Sequence, residues 1–306
     1  MIPAVAISMG DPLGIGPEVV ALALADLRVR SAMDAVVFGD RGTLERAAQL
    51  RAVPFVARLV QVGALPPRPS PREAGAAALN FVERAARAAI AREVKAICTA
   101  PLSKKRVALA VPFVGHTEHL AEMTGARVAM MLAGPRLRVA LATNHLPLAE
   151  VPRRISTEQI AFVAQLAARE LRERFGIAAP RVAVCGLNPH ASDGGIFGDE
   201  EARIVAPAVA LARAAGVDAS GPWPADGLFP KAARGDFDAV VALYHDQGLV
   251  AAKLLDFAET VNVTLGLPFV RTSPDHGTAD DLAWQGKANP EPMISALLLA
   301  ARLSTQ

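Results

Sequence analysis

The sequence predicts an α/β protein with a mixed sheet, and three observations support this prediction. Short apolar runs alternate with longer stretches rich in alanine, leucine and arginine, as buried strands alternate with helices in such proteins. The apolar runs do not alternate strictly with polar residues, which is typical of strands covered on both faces. Residues 132–136 contain the Gly-Pro sequence of a tight turn between neighbouring strands, so the sheet need not be wholly parallel.

Local sequence patterns place the individual elements. Ser-Pro-Arg-Glu at 70–73 is a capping box with proline at the first helical position, and it predicts a helix towards residue 92. Ser-Thr-Glu-Gln at 156–159 repeats the pattern before a second long helix, and Pro17 starts the first helix of the chain. The predicted strands are residues 4–9, 35–38, 96–98, 128–132, 138–142, 181–186, 238–243, 261–264 and 269–271.

Length, charge and cysteine content limit the class of protein. A chain of 306 residues is long enough for about two domains. Its 32 Lys and Arg residues nearly balance its 30 Asp and Glu residues, so neither nucleic acid nor a membrane surface is an expected partner. The N-terminal apolar stretch lacks a basic flank and fits a first strand, not a signal peptide. Two cysteines, both in apolar segments, favour a cytoplasmic protein without disulfides.

Three of the six histidines lie where predicted strands end. His145, His190 and His245 each occupy a position at or just past the carboxyl end of a different strand. Ligands bind at that edge of open α/β sheets, and three neutral imidazoles suit a divalent cation with open coordination positions. Two alternatives stay open at this point: each histidine can be an ordinary loop residue, and the three need not meet within one chain.

Further polar residues lie in the C-terminal third and at one helix start. Lys253 falls in a segment expected to be helical, whereas Asn262 and Arg271 fall in predicted strands. A lysine and an arginine beside apolar strands can hold a phosphate or a carboxylate, although each is also common on surfaces. Gly-His-Thr-Glu at 115–118 places a histidine and a hydroxyl at a helix start, where exposed N–H groups favour an anion.

Three other segments are less specific. Residues 10–17 follow the first strand, but two prolines and an aspartate replace the glycine spacing of a dinucleotide-binding turn, so we expect a shaped strand-to-helix turn. Residues 188–198 form a polar, glycine-rich loop whose role can be functional or structural. Ser103 and Lys104 resemble a nucleophile pair, but no oxyanion-hole motif accompanies them, and a loop that ends in a helix is expected.

Nine longer motifs lie in a match that runs from residue 10 to about residue 293: GDPLGIGPE, TAPLSK, GHTE, ATNHLPL, GLNPHASDGG, PADGLF, YHDQGL, VNVTLGLPFVRTS and DHGTADDLA. In this order they closely resemble the motifs of the 4-hydroxythreonine-4-phosphate dehydrogenase family of vitamin B6 biosynthesis. The resemblance implies a metal-dependent, NAD(P)-linked oxidation of 4-phosphooxy-L-threonine to a 3-oxo acid. That acid decarboxylates to 3-amino-2-oxopropyl phosphate, in the pathway to pyridoxal 5'-phosphate.

The resemblance also implies an architecture. It is that of two-domain α/β/α subunits with a mixed sheet, similar to isocitrate and isopropylmalate dehydrogenases, with the active site in the interdomain cleft. Residues 1–120 and 280–306 are expected to form the first domain. Residues 121–279 are expected to form the second, which carries the metal ligands and the interface of a homodimer.

Carried over by motif, the resemblance assigns three groups of site residues. One divalent cation (Zn, Co, Mn or Mg) is expected to bind His145, His190 and His245, with ligands drawn from both subunits of the homodimer. The small phosphorylated substrate is expected to contact five residues, which are His116, Thr117, Lys253, Asn262 and Arg271.

The remaining assignments concern proton transfer and the cofactor. Lys253 and Asp246 lie near the expected metal site in the sequence and are the candidates for proton transfer. Asp275, His276 and Gly277 are the candidates for contact with the nicotinamide cofactor. The sequence does not distinguish NAD from NADP.

Three alternatives remain at this point. A 4-phospho-D-threonate or erythronate dehydrogenase of the same superfamily would use the same groups on a closely related substrate. A non-catalytic metabolite-binding protein would bind the ligand without reducing NAD. A metal-dependent hydrolase would need no nicotinamide cofactor.

Overall fold

The computed structural model describes residues 2–305, and their contacts divide the chain into two units. Unit 1 comprises residues 2–128 and 261–305, and unit 2 comprises residues 129–260. Strands and helices are numbered along the whole chain. Residues 1 and 306, the ends of the expected first domain, lie outside the described residues.

Within residues 2–128 and 261–305, six strands form a mixed sheet: β1 (Ala4–Ser8), β2 (Asp34–Gly39), β3 (Arg58–Gln61), β4 (Ala96–Thr99), β10 (Val261–Leu265) and β11 (Val270–Pro274). Their spatial order is β3-β2-β1-β4-β11-β10, and only the β10–β11 pair is antiparallel. The helices are α1 (Gly16–Ala25), α2 (Leu27–Ala32), α3 (Arg41–Leu50), α4 (Pro71–Ile90), α5 (Lys104–Ala108), α6 (His116–Thr124) and α12 (Glu291–Leu303).

Within residues 129–260, five strands occur: β5 (Ala129–Ala133), β6 (Arg138–Leu141), β7 (Arg181–Cys185), β8 (Asp218–Trp223) and β9 (Ala239–Ala242). Their order is β5-β6-β9-β7-β8, and only β5 and β6 are antiparallel. The tight turn expected at 132–136 is therefore confirmed. The helices are α7 (Val151–Arg154), α8 (Thr157–Glu173), α9 (Ala206–Ala214), α10 (Ala225–Ala233) and α11 (His245–Asp256).

Within each unit, helices pack on the strands in two groups. In unit 1, α4 packs on β1, β2 and β4, whereas α12 packs on β1, β4 and β11 together with α1 and α2. In unit 2, α8 packs on β6, β7 and β9, and α10 and α11 bury Leu228 and Leu249 in a core shared with the strands. Val5, Ala6 and Ile7 of β1 are all fully buried, which explains why the apolar runs do not alternate. The α/β fold with a mixed sheet is confirmed.

Among the helices of residues 2–305, none has the length and apolar composition that a membrane span needs.

Two helix starts show how far local patterns determine structure. The Ser70 side chain accepts a hydrogen bond from the Glu73 N–H, and the Glu73 carboxylate accepts one from the Ser70 N–H, so the capping box is confirmed. The Ser156 hydroxyl likewise accepts from the Gln159 N–H. The Gln159 side chain, however, donates to the Ala142 carbonyl at 3.3 Å, so this start is a simple N-cap and the expected full box is wrong.

The sequence missed two strands, β3 and β8. Each lies at the outer end of its unit's strand order and pairs with a single neighbouring strand. Edge strands need fewer apolar residues, and Pro222 can stand in β8 because its missing N–H has no strand to bond. Their sequences therefore lack the buried apolar run that marks the central strands.

The boundaries between the two units differ from the domain boundaries expected from the sequence. They divide near residues 128 and 260, whereas the expected domains divide near residues 120 and 279. β11 pairs in parallel with β4, and β10 pairs with β11. Residues 261–274 are thereby joined by backbone hydrogen bonds to strands formed by the N-terminal part of the chain.

Candidate active site

The turn that follows β1 is tied to the loop that follows β4. Asp11 is fully buried, and its carboxylate accepts hydrogen bonds from Arg106 at 2.9 Å and from the Ser103 N–H at 3.3 Å. Gly10 has a φ of +79°, and a Cβ there would lie 2.5 Å from the Pro101 carbonyl oxygen, so glycine is required. The shaped turn expected at 10–17 is present, and Ser103 caps α5, as the predicted loop-to-helix segment requires.

Arg271 is a buried cation without an anionic partner. It is 2% exposed, and its guanidinium donates to Thr99 Oγ1 at 2.7 Å and to Thr264 Oγ1 at 3.0 Å. Among residues 2–305 no carboxylate lies within 4 Å of it, although the charge of Glu118 acts on it from farther away. Burial lowers the pKa of Arg271 to about 10, so the group stays charged at neutral pH. Since the threonine hydroxyls engage three of the five N–H groups of an arginine, two remain for a ligand.

His116 and Lys104 add to the positive character of this region. His116 begins α6, and its buried Nε2 has no hydrogen-bond partner. Burial, followed by the charges of Arg271 and Lys104, holds the pKa of His116 well below 6.5. A Cβ on Gly115 would lie 3.3 Å from Lys104 Nζ, which places that ammonium beside the first turn of α6. The sequence suggests Lys104 only as half of a nucleophile pair with Ser103 and does not predict its position beside this site.

These residues form the first cluster of the site, which we call the cation cluster: Arg271, His116, Lys104 and the first turn of α6, where Thr117 also lies. Helix N-termini and unpaired guanidinium groups both favour a bound anion. A neutral His116 can donate one N–H without adding charge. Asn262, on β10, keeps a buried Oδ1 without a hydrogen-bond partner. The cluster can therefore bind a phosphate or a carboxylate.

The second cluster lies in unit 2 and contains two of the three expected metal ligands. β6 and β9 are adjacent and parallel, so their carboxyl ends lie side by side. His145 follows β6 and His245 follows β9, and their ring centroids are 5.3 Å apart. The carboxylate of Asp246 lies 2.7 Å from Nδ1 of His245, a partner that leaves Nε2 of the ring available to a metal.

Gln247 fixes the start of α11, and sequence reasoning missed it. Its Oε1 accepts from the Leu243 N–H, and its Nε2 donates to the Gly186 carbonyl, both at 2.7 Å. The side chain thus bridges the carboxyl ends of β9 and β7 and holds His245 in place. Lys253 lies two turns further along the same helix.

His190 lies apart from the other two histidines. Its ring packs 6.2 Å from that of Phe197, and among residues 2–305 no group of three or more His, Cys, Asp or Glu side chains could hold a metal. The segment from His190 to Asp193 has left-handed backbone angles, with φ between +45° and +71°. Such angles are costly for residues other than glycine and occur where the surroundings enforce them.

Glu201 holds this segment in its left-handed conformation. Its carboxylate is 4% exposed and accepts from the N–H groups of Leu187 and Asn188 at 2.7 Å, and from the Ser192 hydroxyl. Burial alone would raise the pKa of Glu201, but the hydrogen bonds from Asn188 and Ser192 outweigh it and hold the pKa below its usual value. The loop that carries His190 is therefore shaped from within, and no short-range sequence signal indicates Glu201.

The loop expected to contact the cofactor packs on the turn after β1. The Thr278 carbonyl accepts from the Ile15 N–H at 3.0 Å, and His276 Nδ1 lies 3.0 Å from the Gly277 carbonyl. Asp275 and His276 are half-buried, and Gly277 is exposed. These three residues therefore lie in a loop that is tied by a backbone hydrogen bond to the turn after β1.

The fold is that of an α/β protein, with one cluster able to bind a small anion and another that brings two imidazoles together. The family model described as "Pyridoxal phosphate biosynthetic protein PdxA" matches residues 25–300. The chain belongs to this family of pyridoxine-biosynthetic oxidoreductases.

Individual relatives agree with this assignment. The chain is 43% identical to the 4-hydroxythreonine-4-phosphate dehydrogenase of Desulforapulum autotrophicum, over 99% of this chain and 96% of the relative. It is 42% identical to the D-threonate 4-phosphate dehydrogenase of Cupriavidus necator, over 100% and 98%. The crystal structure of the 4-hydroxythreonine-4-phosphate dehydrogenase from Klebsiella pneumoniae is 41% identical, with a TM-score of 0.89 and 99% of both chains covered. A β-decarboxylating dehydrogenase from Thermococcus kodakarensis, 16% identical with a TM-score of 0.53 over 98% of this chain and 81% of that one, shares the fold alone.

We expect His116 to make the folded chain less stable as the pH falls below about 6.5. The unfolded chain then takes up a proton that the folded chain refuses, because the pKa of His116 is lowered in the fold. Each pH unit in this window removes up to about 1.4 kcal/mol from the free energy of unfolding. Urea unfolding of the wild type and of His116→Gln between pH 7.5 and 5.5 measures the effect.

The stability of the wild type relative to His116→Gln should be greatest at the alkaline end of this series. Arg58→Met, which changes an exposed arginine outside the cation cluster, is the control and should keep the wild-type pH slope. Equal slopes in the wild type and His116→Gln would contradict the assignment of a neutral His116.

Proposed function

We propose that this protein oxidises the secondary hydroxyl of 4-phosphooxy-L-threonine, with NAD or NADP as hydride acceptor and with one divalent cation. The hydroxyl loses its proton and the carbon loses a hydride, and the resulting 3-oxo acid decarboxylates to 3-amino-2-oxopropyl phosphate. The buried, unpaired Arg271 carries this proposal, because relatives at 42–43% identity are named for phosphorylated substrates. We place the reaction in the cytoplasm, in keeping with two buried free cysteines.

The cation cluster is proposed to bind the phosphate end of the substrate. The two remaining N–H groups of Arg271 match two phosphate oxygens, and Lys104 adds a point charge. His116 and Thr117 donate from the first turn of α6, where backbone N–H groups add to the positive potential. Asn262 and Lys253 are proposed to contact the rest of the substrate, since a buried amide oxygen without a partner needs a donor.

Unit 2 of one chain offers suitable ligands for a divalent cation, but only two of the three that are proposed. His145 and His245 offer two imidazoles, and Asp246 orients one of them, as carboxylates commonly do for metal-bound histidines. Imidazole nitrogens suit Zn²⁺, Co²⁺ and Mn²⁺, and substrate oxygens would also permit Mg²⁺. When bound, such a cation supplies Lewis-acid polarisation of the substrate hydroxyl.

The third ligand is proposed to be His190 of a second copy, in a homodimer with shared sites. Val250 and Leu254 of α11 and Phe257, the residue that follows it, are 65%, 84% and 71% exposed, and their spacings place them on one side of the helix. The loop of His190 exposes Ile196 by 74%. Apolar patches of this kind mark protein interfaces. Here one patch lies on the helix that begins with His245, and the other lies on the loop that carries His190.

Proton transfer and cofactor binding complete the proposal. Asp246 and Lys253 share α11 with His245, and either can accept the hydroxyl proton in its deprotonated form. The nicotinamide group supplies a hydride acceptor when bound. Asp275, His276 and Gly277 are proposed to contact it.

D-threonate 4-phosphate is the second candidate substrate, since relatives with that name are 42% and 43% identical. The two substrates share the phosphate, the carboxylate and the reacting hydroxyl. They differ in the amino or hydroxyl group beside the carboxylate. The cation cluster serves both equally.

We expect reduced nicotinamide to form faster with 4-phosphooxy-L-threonine than with D-threonate 4-phosphate. A chelator should abolish the reaction, and added Zn²⁺, Co²⁺ or Mn²⁺ should restore it. Absorbance of NADH or NADPH with each substrate, with and without chelator, measures both effects. A faster reaction with D-threonate 4-phosphate would assign the alternative substrate. Binding without nicotinamide reduction, or phosphate release without a nicotinamide, would contradict a dehydrogenase.

Shared metal sites should allow two inactive variants to complement each other. His190→Ala and His245→Ala should each abolish turnover and stay folded. After subunit exchange in an equimolar mixture, half of the dimers are mixed and each has one complete site, so about a quarter of the wild-type activity should return.

The matched control is a mixture of His145→Ala and His245→Ala, which both alter the same part of the donor set. No mixed dimer of these two variants has a complete site, so no activity should return. Recovery in both mixtures, or in neither despite demonstrated exchange, would contradict the shared site.

A further inference from the structure

The loop that carries His190 keeps an unfavourable backbone over four successive residues. From His190 to Asp193 every φ is positive although none of the four is glycine, and Gly194 continues the turn with a φ of +69°. Left-handed angles cost free energy at each such residue, so a run of four persists only where other contacts enforce it. Strain of this kind is concentrated at functional sites, and His190 is the first residue of the run.

One buried carboxylate supplies those contacts. Oε1 of Glu201 accepts from the Leu187 and Asn188 N–H groups at 2.7 Å, and Oε2 accepts from the Asn188 side-chain amide at 3.0 Å and from the Ser192 hydroxyl. Four donors fill the accepting capacity of a carboxylate. Leu187 and Asn188 precede His190 and Ser192 follows it, so Glu201 closes the chain around His190 from both sides.

The base of the loop is shared with the start of α11. A Cβ on Gly186 would lie 3.0 Å from Ala191 Cα and 3.1 Å from Glu201 Oε1, so the loop folds back on the end of β7 at this glycine. The Gly186 carbonyl also accepts the hydrogen bond from Gln247, two residues after His245. The same point of the backbone therefore anchors the loop and the helix that begins with His245.

Glu201 itself stands on a rigid part of unit 2. It begins a π-helical turn, Glu201–Val205, that leads directly into α9, and the Ala206 N–H donates to its carbonyl. α9 packs against α8 and β8. Turns of the π type are rare and occur frequently at functional sites. A side chain fixed in this way can hold a loop in one position.

The imidazole lies on the outside of the loop that the carboxylate holds from the inside. Glu201 is 4% exposed, whereas His190 is exposed, as are Ile196 and Phe197 of the same loop. Among the described residues, His190 joins no group of three His, Cys, Asp or Glu side chains that could hold a metal. This geometry suits a ligand that acts outside its own chain.

We propose that Glu201 is the positioning residue of His190, and that it determines the metal affinity of the site in the partner copy. The inference rests on the proposed function, in which His190 of one copy completes the donor set of the other. Glu201 touches neither metal nor substrate. It orders the loop during folding, so the cation does not have to order it on binding.

Co²⁺ binding in the absence of substrate and nicotinamide tests this role. Glu201→Gln keeps the shape of the side chain but replaces one acceptor oxygen with a donor, so it cannot serve all four partners. It should weaken Co²⁺ by about tenfold to a hundredfold in titration calorimetry. Asp199→Asn is the matched control, since it makes the same chemical change in an exposed carboxylate that pairs with Arg203 on the surface, and it should bind Co²⁺ like the wild type.

Complementation separates positioning from structural damage. At a Co²⁺ concentration that loads the wild type but not Glu201→Gln, an exchanged equimolar mixture of Glu201→Gln and His245→Ala should gain about a quarter of the wild-type activity. Each mixed dimer then has one site with an intact pair of imidazoles and an intact loop. Glu201→Gln with His190→Ala should gain nothing, because both alter the loop. General damage to unit 2 would disable the imidazole pair of Glu201→Gln as well, and neither mixture would gain activity.

Wild-type Co²⁺ affinity in Glu201→Gln would overturn the inference. So would the absence of a gain with His245→Ala while the mixture of His190→Ala and His245→Ala recovers. If Glu201→Gln does not fold, Ser192→Ala decides, because it removes one hydrogen bond and keeps the carboxylate. It should also weaken Co²⁺, and wild-type affinity there would overturn the inference.

His190→Ala distinguishes this inference from the proposed function. Weakened Co²⁺ binding in His190→Ala with unchanged binding in Glu201→Gln would overturn the inference alone. Unchanged binding in both variants would also contradict the proposed donor set.

Discussion

The unit 1 site depends on one buried charge that the chain does not neutralise. Arg271 stands on β11, between strands that present Thr99 and Thr264 to it, and these neutral hydroxyls are its only hydrogen-bond partners within residues 2–305. A buried cation without a counter-charge costs stability, and burial lowers the pKa of Arg271 as a result. Burial, with the charge of Arg271 added to it, lowers the pKa of His116 and keeps that ring neutral. An anionic ligand would remove the cost, so the arrangement suits the phosphate of the proposed substrate.

In unit 2, the proposed set of metal ligands is incomplete within one chain. Two adjacent parallel strands bring His145 and His245 together, whereas a left-handed loop shaped by Glu201 holds His190 elsewhere. A donor set of two imidazoles is too small for a tightly held cation. The exposed apolar residues of α11 and of the His190 loop explain, in the proposed homodimer, how a second copy supplies what one chain lacks.

Features that depend on neighbours in the sequence could be predicted, and features that depend on distant partners could not. The N-cap of α4, the turn between β5 and β6 and the position of the histidines at strand ends all follow from local patterns. The motifs also identified the family. Gln247, Glu201 and the position of Lys104 beside the anion site were missed, because each depends on groups on other elements. The edge strands β3 and β8 were missed because an edge needs no long apolar run.

Binding of inorganic phosphate to the free protein tests the central claim most directly. A ligand that binds only the folded chain raises the free energy of unfolding by about 1.4 kcal/mol at ten times its Kd. The wild type and Arg58→Met, which changes an exposed arginine, should gain this stability in phosphate-containing buffer. Arg271→Met should gain none, because the charge that binds the anion is gone. An equal gain in Arg271→Met would contradict the claim that this buried arginine is the phosphate receptor.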